Sequence, residues 1–197
     1  MSYADALADL VAAASEADLA IAPETPEGDA AQLCETVFGT TLAAEIIQAG
    51  YPKTFHIPWI VEDLYVYGLD ELSDRQAGYR FHAITGEPIA AWPADRFVIA
   101  AWTGNPVSVG QDGSVCYSRH GAGTWTFVRL APDLPAFLAL LAAWIRYFVV
   151  EHGGDLFDED DDDFDITEEM RAEVRREVLD GVAEADRDAV LAFLLGE

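Results

Sequence analysis

Cysteine is scarce in this chain, with only Cys34 and Cys116 among 197 residues. A disulfide framework or a cysteine-based zinc site needs more sulfur atoms than two isolated residues supply. The four histidines are scattered and show neither i, i+4 spacing nor pairing with a cysteine. The P-loop, GxGxxG, GxSxG and HExxH patterns are also missing. We therefore predict no metal ion and no cofactor, and we expect a protein that is not an enzyme.

Basic residues are the second shortage, because 11 Lys and Arg stand against 36 Asp and Glu, for a net charge of −25. Residues 51–154 are nearly balanced, with ten acids and seven bases. Residues 1–50 carry nine acids and no base, and residues 155–197 carry 17 acids and four bases. Such a field repels nucleic acid and anionic membranes and attracts basic partners. A general acidic bias of the source proteome would give the same composition, so both interpretations stay open.

Long hydrophobic runs are the third shortage. A membrane span needs roughly 18 apolar residues, and the longest candidate, around Leu138–Ile145, is closed by Arg146. The N-terminal sequence MSYADALADL carries acids where a secretion signal needs Lys or Arg. With 51% apolar residues the chain has a globular composition. We expect a cytoplasmic protein without a membrane partner.

The segment Trp92–Phe148 contains the clearest pattern of strands and turns. Phe97–Trp102 is a continuous apolar run, which suits a strand covered on both faces. Gln111–Gly113 predicts a hairpin turn, since Asp-Gly tolerates the positive φ angles that strand twist requires. Ser114–His120 alternates between two faces, and a glycine-rich turn then leads into Thr124–Leu130. The pattern predicts an antiparallel meander and indicates a recognition fold.

A helix follows the meander directly. Asp133 is placed to cap it, and Pro135 lies in its first turn, where a missing N–H does no harm. Gly153 and Gly154 end it. Its apolar residues form a wide stripe that we expect to cover one face of the sheet. They are Leu134, Phe137, Leu138, Leu141, Trp144, Ile145 and Phe148.

Further elements are predicted on the N-terminal side of the meander. Helical spacing of apolar residues runs over Tyr3–Leu19 and again over Ala30–Ala49, where Gly39 is a candidate interruption. Leu64–Tyr67 and Phe81–Ile84 are candidate strands.

Beyond the meander helix, Asp155–Asp165 holds eight acids in eleven residues, which favours a solvated segment. Asp165 is then placed to cap a helix with Glu168 three positions on. A short final helix is predicted over Asp186–Leu195. Whether these C-terminal helices dock on the core or form a separate arm is left open by the sequence.

The acidic run permits three interpretations. In a calcium-binding loop, Asp158, Asp160 and Asp162 would take positions 1, 3 and 5, and Glu169 position 12. However, position 6 is Asp163, where the loop needs glycine for its sharp turn. The run could instead attract a basic partner and raise the association rate. A solvated linker is the third and simplest interpretation.

Tryptophan is frequent, with five residues, and core packing explains most of them. Trp102 and Trp125 flank predicted turns, and one of them at an exposed sheet edge would serve as an interface hot spot. Cys116 and His120, four residues apart on a strand, lie about 13 Å apart, too far for a nucleophile and its base. The predicted partner-binding residues are Asp158, Asp160, Asp161, Asp162, Asp163, Trp102, Asn105 and Trp125.

Several motifs together resemble the SUKH superfamily. They are WP at Trp92, GNPVSV from Gly104, DGSV from Asp112, HGAGTW from His120 and LPAFLALL from Leu134. The preceding segment Leu69–Pro93 fits the same pattern, and Glu35–Gly39 resembles the E-x-x-L-G end of the family's first helix. The proline that often follows there is missing from Thr41-Leu42-Ala43. The resemblance covers roughly residues 31 to 150.

The resemblance implies an α+β fold, with a twisted antiparallel sheet backed by helices, to which this chain adds an acidic helical C-terminal arm. We expect an N-terminal helix and linker over 1–30, the SUKH-like domain over 31–152, an acidic linker over 153–166 and C-terminal helices over 167–197. Many bacterial members are non-enzymatic immunity proteins that neutralise polymorphic toxins, whereas fungal relatives regulate cell-wall synthesis. The expected function is therefore to bind and neutralise a cognate toxin domain, and we expect that domain to be basic. The alternative is a general interaction or regulatory module without a toxin partner.

Overall fold

The computed structural model of the protein describes residues 1–121, 124–156 and 166–197. Within these residues the fold is α+β, with a six-stranded antiparallel sheet, a two-stranded sheet and six α-helices. The helices are α1 (Tyr3–Glu16), α2 (Asp29–Ala49), α3 (Leu69–Leu72), α4 (Leu134–Trp144), α5 (Glu168–Glu177) and α6 (Arg187–Leu194). The strands are β1 (Pro23–Glu24), β2 (Tyr51–Pro52), β3 (Phe55–Ile57), β4 (Leu64–Val66), β5 (Arg96–Trp102), β6 (Asn105–Gly110), β7 (Val115–Tyr117) and β8 (Val128–Ala131).

The large sheet is a meander in which β3 to β8 pair in chain order. Trp102 pairs with Asn105 across a two-residue turn, and both turn residues, Thr103 and Gly104, have positive φ. That turn conformation matches the twist of the strands it joins. The predicted turn before β7 is also present, and there the Asp112 carboxylate accepts a hydrogen bond from the Ser114 amide at 3.0 Å. The predicted meander is confirmed, but its last two strands are shorter than expected, because β7 covers only Val115–Tyr117 and β8 begins at Val128 rather than at Thr124.

Helix α4 backs the sheet as expected. The Asp133 side chain accepts a hydrogen bond from the Ala136 amide at 2.8 Å, so the predicted cap is confirmed. All seven residues of the predicted apolar stripe are buried. The helix continues as a π-helical segment, Ile145–Glu151, and packs against α1. There Arg146 pairs with Asp9 at 2.7 Å and with Glu16 at 3.4 Å.

The 18-residue stretch Leu134–Glu151 is apolar and long enough to cross a membrane by length and composition alone. The sequence did not suggest this, because Arg146 interrupts the run. In the structure that arginine is neutralised by the acids of α1, and 56% of the stretch is buried inside the protein. The core helix of a globular protein has the same composition.

The C-terminal helices pack on the core. Phe193 and Leu194 of α6 are buried in the same hydrophobic cluster as the sheet, and the Arg129 guanidinium pairs with Asp186 at 2.9 Å. Helix α5 begins two residues later than predicted, because Thr167 caps it by accepting a hydrogen bond from the Met170 amide at 3.2 Å. The predicted cap residue, Asp165, lies outside the described residues, as does most of the predicted acidic linker.

Residues 81–84 do not form the predicted strand. Arg80–Ile89 is a loop that satisfies its own backbone, with the His82 amide donating to Glu87 and the Ile89 amide donating to Arg80, both at 2.9 Å. Phe81 makes isolated bridges only to Ala77 and Pro88, so this segment pairs with itself and not with the sheet. In α2, Gly39 breaks the helix as expected, with φ of 75° and ψ of 159°.

The Gln76 side chain attaches the long segment between α3 and β5 to the sheet. Its Nε2 donates to the carbonyl of Val98 at 2.9 Å, and its Oε1 accepts from the amide of Val98 at 3.0 Å. The side chain is 4% exposed, and it binds β5 as a neighbouring strand would. These two hydrogen bonds fix the start of the segment that contains Tyr79 and Trp92.

Candidate interaction surface

The predicted partner-binding residues fall into three groups. The five aspartates, Asp158 and Asp160 to Asp163, lie outside the described residues. Trp102 is buried. Asn105 and Trp125 lie near one another at the end of the sheet formed by the β5–β6 turn.

Trp102 is not at an exposed edge. Its side chain is 6% exposed, and its Nε1 donates to the carbonyl of Glu62 at 3.0 Å. A Cβ on Gly196 would lie 3.1 Å from the Trp102 ring, so the end of α6 packs directly on the indole. The sequence could not show this contact, because the covering residues lie at the far end of the chain. Trp102 belongs to the core.

Asn105 joins two turns at this end of the sheet. Its Oδ1 accepts from the His120 amide at 2.7 Å, and its Nδ2 donates to the Thr103 hydroxyl at 2.9 Å. The side chain is therefore committed to the fold, and it fixes the chain that leads from β7 toward Trp125. The His120 ring, which is exposed, packs edge-on against Trp125 with 5.8 Å between centroids.

Trp125 is part of a contiguous group of rings that we call the aromatic cluster, made of Tyr79, Trp92, His120, Trp125 and Phe127. Trp125 lies 4.9 Å from Trp92 and 5.8 Å from Tyr79, and Trp92 lies 5.3 Å from Phe127, all between centroids. The Tyr79 hydroxyl donates to the Gly104 carbonyl at 2.9 Å, which ties the cluster to the β5–β6 turn.

Burial decreases from the inside of the aromatic cluster to its outside. Trp92 is buried, with its Nε1 donating to the Arg96 carbonyl at 2.9 Å. Tyr79, Trp125 and Phe127 are half-buried, and His120 is exposed. Half-buried aromatic rings held by a buried one are rigid and already partly desolvated, which is the environment of interface hot spots. Of the two predicted tryptophans, Trp125 is half-buried and Trp102 is buried, and a role of Trp125 in binding stays a prediction.

Two arginines stack on aromatic rings in this region, and one of these rings, Phe127, belongs to the aromatic cluster. The Arg80 guanidinium lies 3.8 Å from the centroid of Phe97, and that of Arg96 lies 4.9 Å from the centroid of Phe127. Both are cation–π contacts, which gain strength as water is removed. Burial lowers the pKa of Arg80. Arg80 Nε and Arg96 Nη1 are buried and donate no hydrogen bond to any described residue.

The loop Arg80–Ile89 adds an exposed apolar surface next to this cluster. Ile84 at its tip is 98% exposed and Phe81 is 37% exposed. Reasoning from the sequence assigned both to a strand and so missed them as contact residues. The signal available was the sequence ITGEP, because an isoleucine immediately before a Thr-Gly turn is exposed unless another element covers it.

The charge of the protein is strongly negative because acids far outnumber bases, for a net charge of −25. Eight of the eleven Lys and Arg side chains form ion pairs with carboxylates of the described chain; they are Lys53, Arg75, Arg129, Arg146, Arg171, Arg175, Arg176 and Arg187. Because the chain has 36 acids and only 11 Lys and Arg residues, its carboxylates are in large excess over its bases. They favour a basic partner.

Both cysteines are free and buried. Burial raises the pKa of the Cys34 thiol to about 11, which keeps it protonated and unreactive. Across the described ranges no three His, Cys, Asp or Glu side chains converge on a position that could hold a metal ion.

Comparison of the chain with protein-family models, with curated proteins and with solved structures finds no match. Membership of the SUKH superfamily therefore stays a prediction made from the motifs.

Proposed function

We propose that this protein is a SUKH-like immunity protein that binds and neutralises the toxic domain of a bacterial polymorphic toxin. The observation that carries the proposal is the placement of the motifs on which the resemblance rests. GNPVSV begins in the β5–β6 turn and runs along β6, DGSV forms the turn into β7, and LPAFLALL forms α4. The motifs thus occupy consecutive elements of one meander and its covering helix, the arrangement that the resemblance implies.

The specific contacts come from the aromatic cluster and the loop beside it. Trp125 and Tyr79 offer half-buried rings, and Ile84 offers a fully exposed aliphatic side chain. Stable interfaces have such apolar anchors at the centre and polar groups around them. Binding there occludes the toxin's own active site and requires no chemistry from this chain.

The negative field sets the kind of partner. A nuclease domain is basic because it holds phosphates, and the excess acids of this protein attract such a surface over a distance of about one Debye length, roughly 10 Å. The attraction mainly raises the association rate, whereas the apolar anchors determine how slowly the complex dissociates.

Growth rescue tests the proposal. An immunity gene lies directly downstream of its toxin gene, so the C-terminal domain encoded immediately upstream is induced in a bacterial host with and without this protein. We expect the domain alone to stop growth and co-expression of this chain to restore it. Ile84→Asp, which changes an exposed residue without disturbing the core, is expected to reduce the rescue, while Val61→Asp at a second exposed position serves as the matched control. A toxic domain that this chain fails to relieve contradicts the proposal and favours a regulatory module without a toxin partner.

A further inference from the structure

Residues 80–89 pair with one another and form a short hairpin-like loop, which we call the finger. The Ile89 amide donates to the Arg80 carbonyl at 2.9 Å, where the two sides of the finger meet at its base. Nearer the tip, the Gly86 amide donates to the His82 carbonyl at 2.8 Å. The backbone of the finger is thus hydrogen-bonded within itself. A loop closed in this way needs no partner to hold its shape.

Both ends of the finger are attached to the aromatic cluster. Tyr79, a member of that cluster, directly precedes the finger, and the Trp92 amide donates to the Ile89 carbonyl at 3.0 Å. The Arg80 guanidinium donates to the Ala94 carbonyl at 2.7 Å, which fixes the base a second time. The finger is therefore held firmly beside the rings that we propose to bind the toxin domain.

Ile84 lies at the tip of the finger and is 98% exposed. Its side chain contacts almost nothing of its own chain. Single exposed apolar residues are common, but this one is held away from the body of the protein by a hydrogen-bonded loop. A flat partner surface would cover only one side of such a side chain, whereas a pocket would surround it.

The closed backbone of the finger has a consequence for binding. A loop that already has its bound conformation loses little conformational entropy when a partner binds. More of the free energy gained by burying the Ile84 side chain then contributes to affinity.

We propose that the finger inserts Ile84 into an apolar pocket on the toxin domain, and that its backbone conformation is the same before and after binding. This inference rests on the function proposed above and adds the shape of the partner, which is a concave apolar pocket that takes one aliphatic side chain. A pocket shaped for isoleucine excludes a larger side chain. Ile84 is therefore the residue that sets which toxin domain the protein recognises.

Hydrogen exchange of the free full-length protein, followed by NMR, tests whether the finger is preformed. The amides of Gly86 and Ile89 are hydrogen-bonded, whereas the Ile84 amide donates no backbone hydrogen bond within the described part of the chain. We expect the two bonded amides to exchange at least about tenfold more slowly than that of Ile84, each relative to its intrinsic rate. Equal relative rates for the three amides would overturn the proposal.

Binding of the toxin domain encoded immediately upstream tests the pocket. We expect Ile84→Ala to weaken the complex about 30-fold, because the pocket loses most of its apolar contact. Ile84→Trp should weaken it at least about as much, since the larger ring does not fit. On a flat partner surface the tryptophan would bind as tightly as isoleucine or more tightly. Unchanged or improved affinity of Ile84→Trp would therefore overturn the proposal.

Gly86→Ala tests the backbone conformation of the finger. A Cβ at Gly86 would meet no atom within 4 Å, so the substitution acts through its φ of 70°, which disfavours alanine. We expect affinity to fall about threefold to tenfold, because fewer molecules hold the finger in its binding conformation. Gly28→Ala at the start of α2, with a φ of 55° and equally open space, is the matched control and should leave affinity unchanged. An equal loss in both variants, or no loss in Gly86→Ala, would overturn the proposal.

The outcomes separate this inference from the proposed function. Absence of any complex contradicts the proposed function, and this inference with it. A complex that Trp125→Ala weakens but that Ile84→Ala and Gly86→Ala leave unchanged would retain the proposed function and overturn the insertion of the finger alone.

Discussion

Trp59 and Phe193 meet in the core although 134 residues separate them in the chain. The Trp59 Nε1 donates to the Phe193 carbonyl at 3.3 Å, and the two rings lie 5.3 Å apart between centroids. Phe193 also packs on Tyr117, at 5.0 Å. Helix α6 therefore completes the hydrophobic core and covers Trp102.

Replacing Phe193 by Ala should destabilise the whole protein. Loss of a fully buried phenylalanine removes its transfer free energy and leaves a cavity, so we expect a decrease of about 3–5 kcal/mol in the free energy of unfolding. Urea unfolding followed by tryptophan fluorescence measures it. Ile84→Ala, at an exposed position, should change the free energy by less than about 0.5 kcal/mol. A loss below about 1 kcal/mol for Phe193→Ala would mean that α6 does not contribute to the core.

Gln76→Leu should destabilise the fold and loosen the aromatic cluster. Leucine has a similar volume but cannot bond to Val98, so an amide and a carbonyl of β5 stay buried without partners, at about 1–3 kcal/mol each. We expect a lower unfolding midpoint together with a weaker near-ultraviolet circular dichroism signal, because the segment carrying Tyr79 and Trp92 is no longer fixed. Gln32→Leu on the exposed side of α2 is the control. Unchanged stability in Gln76→Leu would show that the segment is held by other contacts.

We predict that the free energy of unfolding falls at alkaline pH, because the Cys34 thiol is buried. The thiol is fully buried, and its pKa is raised from 9.0 to about 11. Because the folded-state pKa is the higher one, the protonated thiol contributes stability that is complete below about pH 9 and is lost as the pH rises toward 11. The contribution is at most about 2–3 kcal/mol.

The free energy of unfolding of the wild type and of Cys34→Ala, measured at several pH values between these limits, isolates this effect. We expect a shallower decline in the variant. Some decline should remain, because burial also raises the pKa of Tyr3 and Tyr51. Identical slopes in the two proteins would show that the thiol does not titrate differently on folding.

Local patterns predicted the meander, its hairpin turns and the Asp133 cap, because each depends on residues a few positions apart. These local patterns could not predict contacts between distant parts of the chain. The burial of Trp102 depends on Gly196. The position of Gln76 beside β5 depends on its side-chain amide, which forms the two hydrogen bonds that a neighbouring strand would form. The four residues Phe81–Ile84 resembled a strand, yet their backbone bonds close within the loop.

The candidate site was predictable only in part for the same reason. Trp125 could be singled out because it follows a glycine-rich turn. Its packing partners, Tyr79 and Trp92, come from a different segment, which nothing in the local sequence places beside it.

Added salt should slow the association with a basic toxin domain. Attraction between exposed charges is screened beyond about 10 Å at 0.1 M ionic strength, so we expect the association rate constant to fall at least about tenfold between low and high salt. Replacing Asp158 and Asp160 to Asp163 by Asn should reproduce part of that decrease at low salt. Stopped-flow fluorescence measures both. An association rate independent of salt would remove the electrostatic part of the proposal.

The dissociation constant between this protein and the toxin domain encoded upstream tests the proposed function most directly. We expect a tight complex that Trp125→Ala weakens by about 30-fold, or roughly 2 kcal/mol, mainly through faster dissociation. Ile84→Asp should weaken it as well, and Tyr65→Ala, a half-exposed aromatic residue outside the aromatic cluster, should have little effect. Absence of a complex, or a complex whose affinity both Trp125→Ala and Ile84→Asp leave unchanged, would contradict a neutralising surface at this end of the sheet.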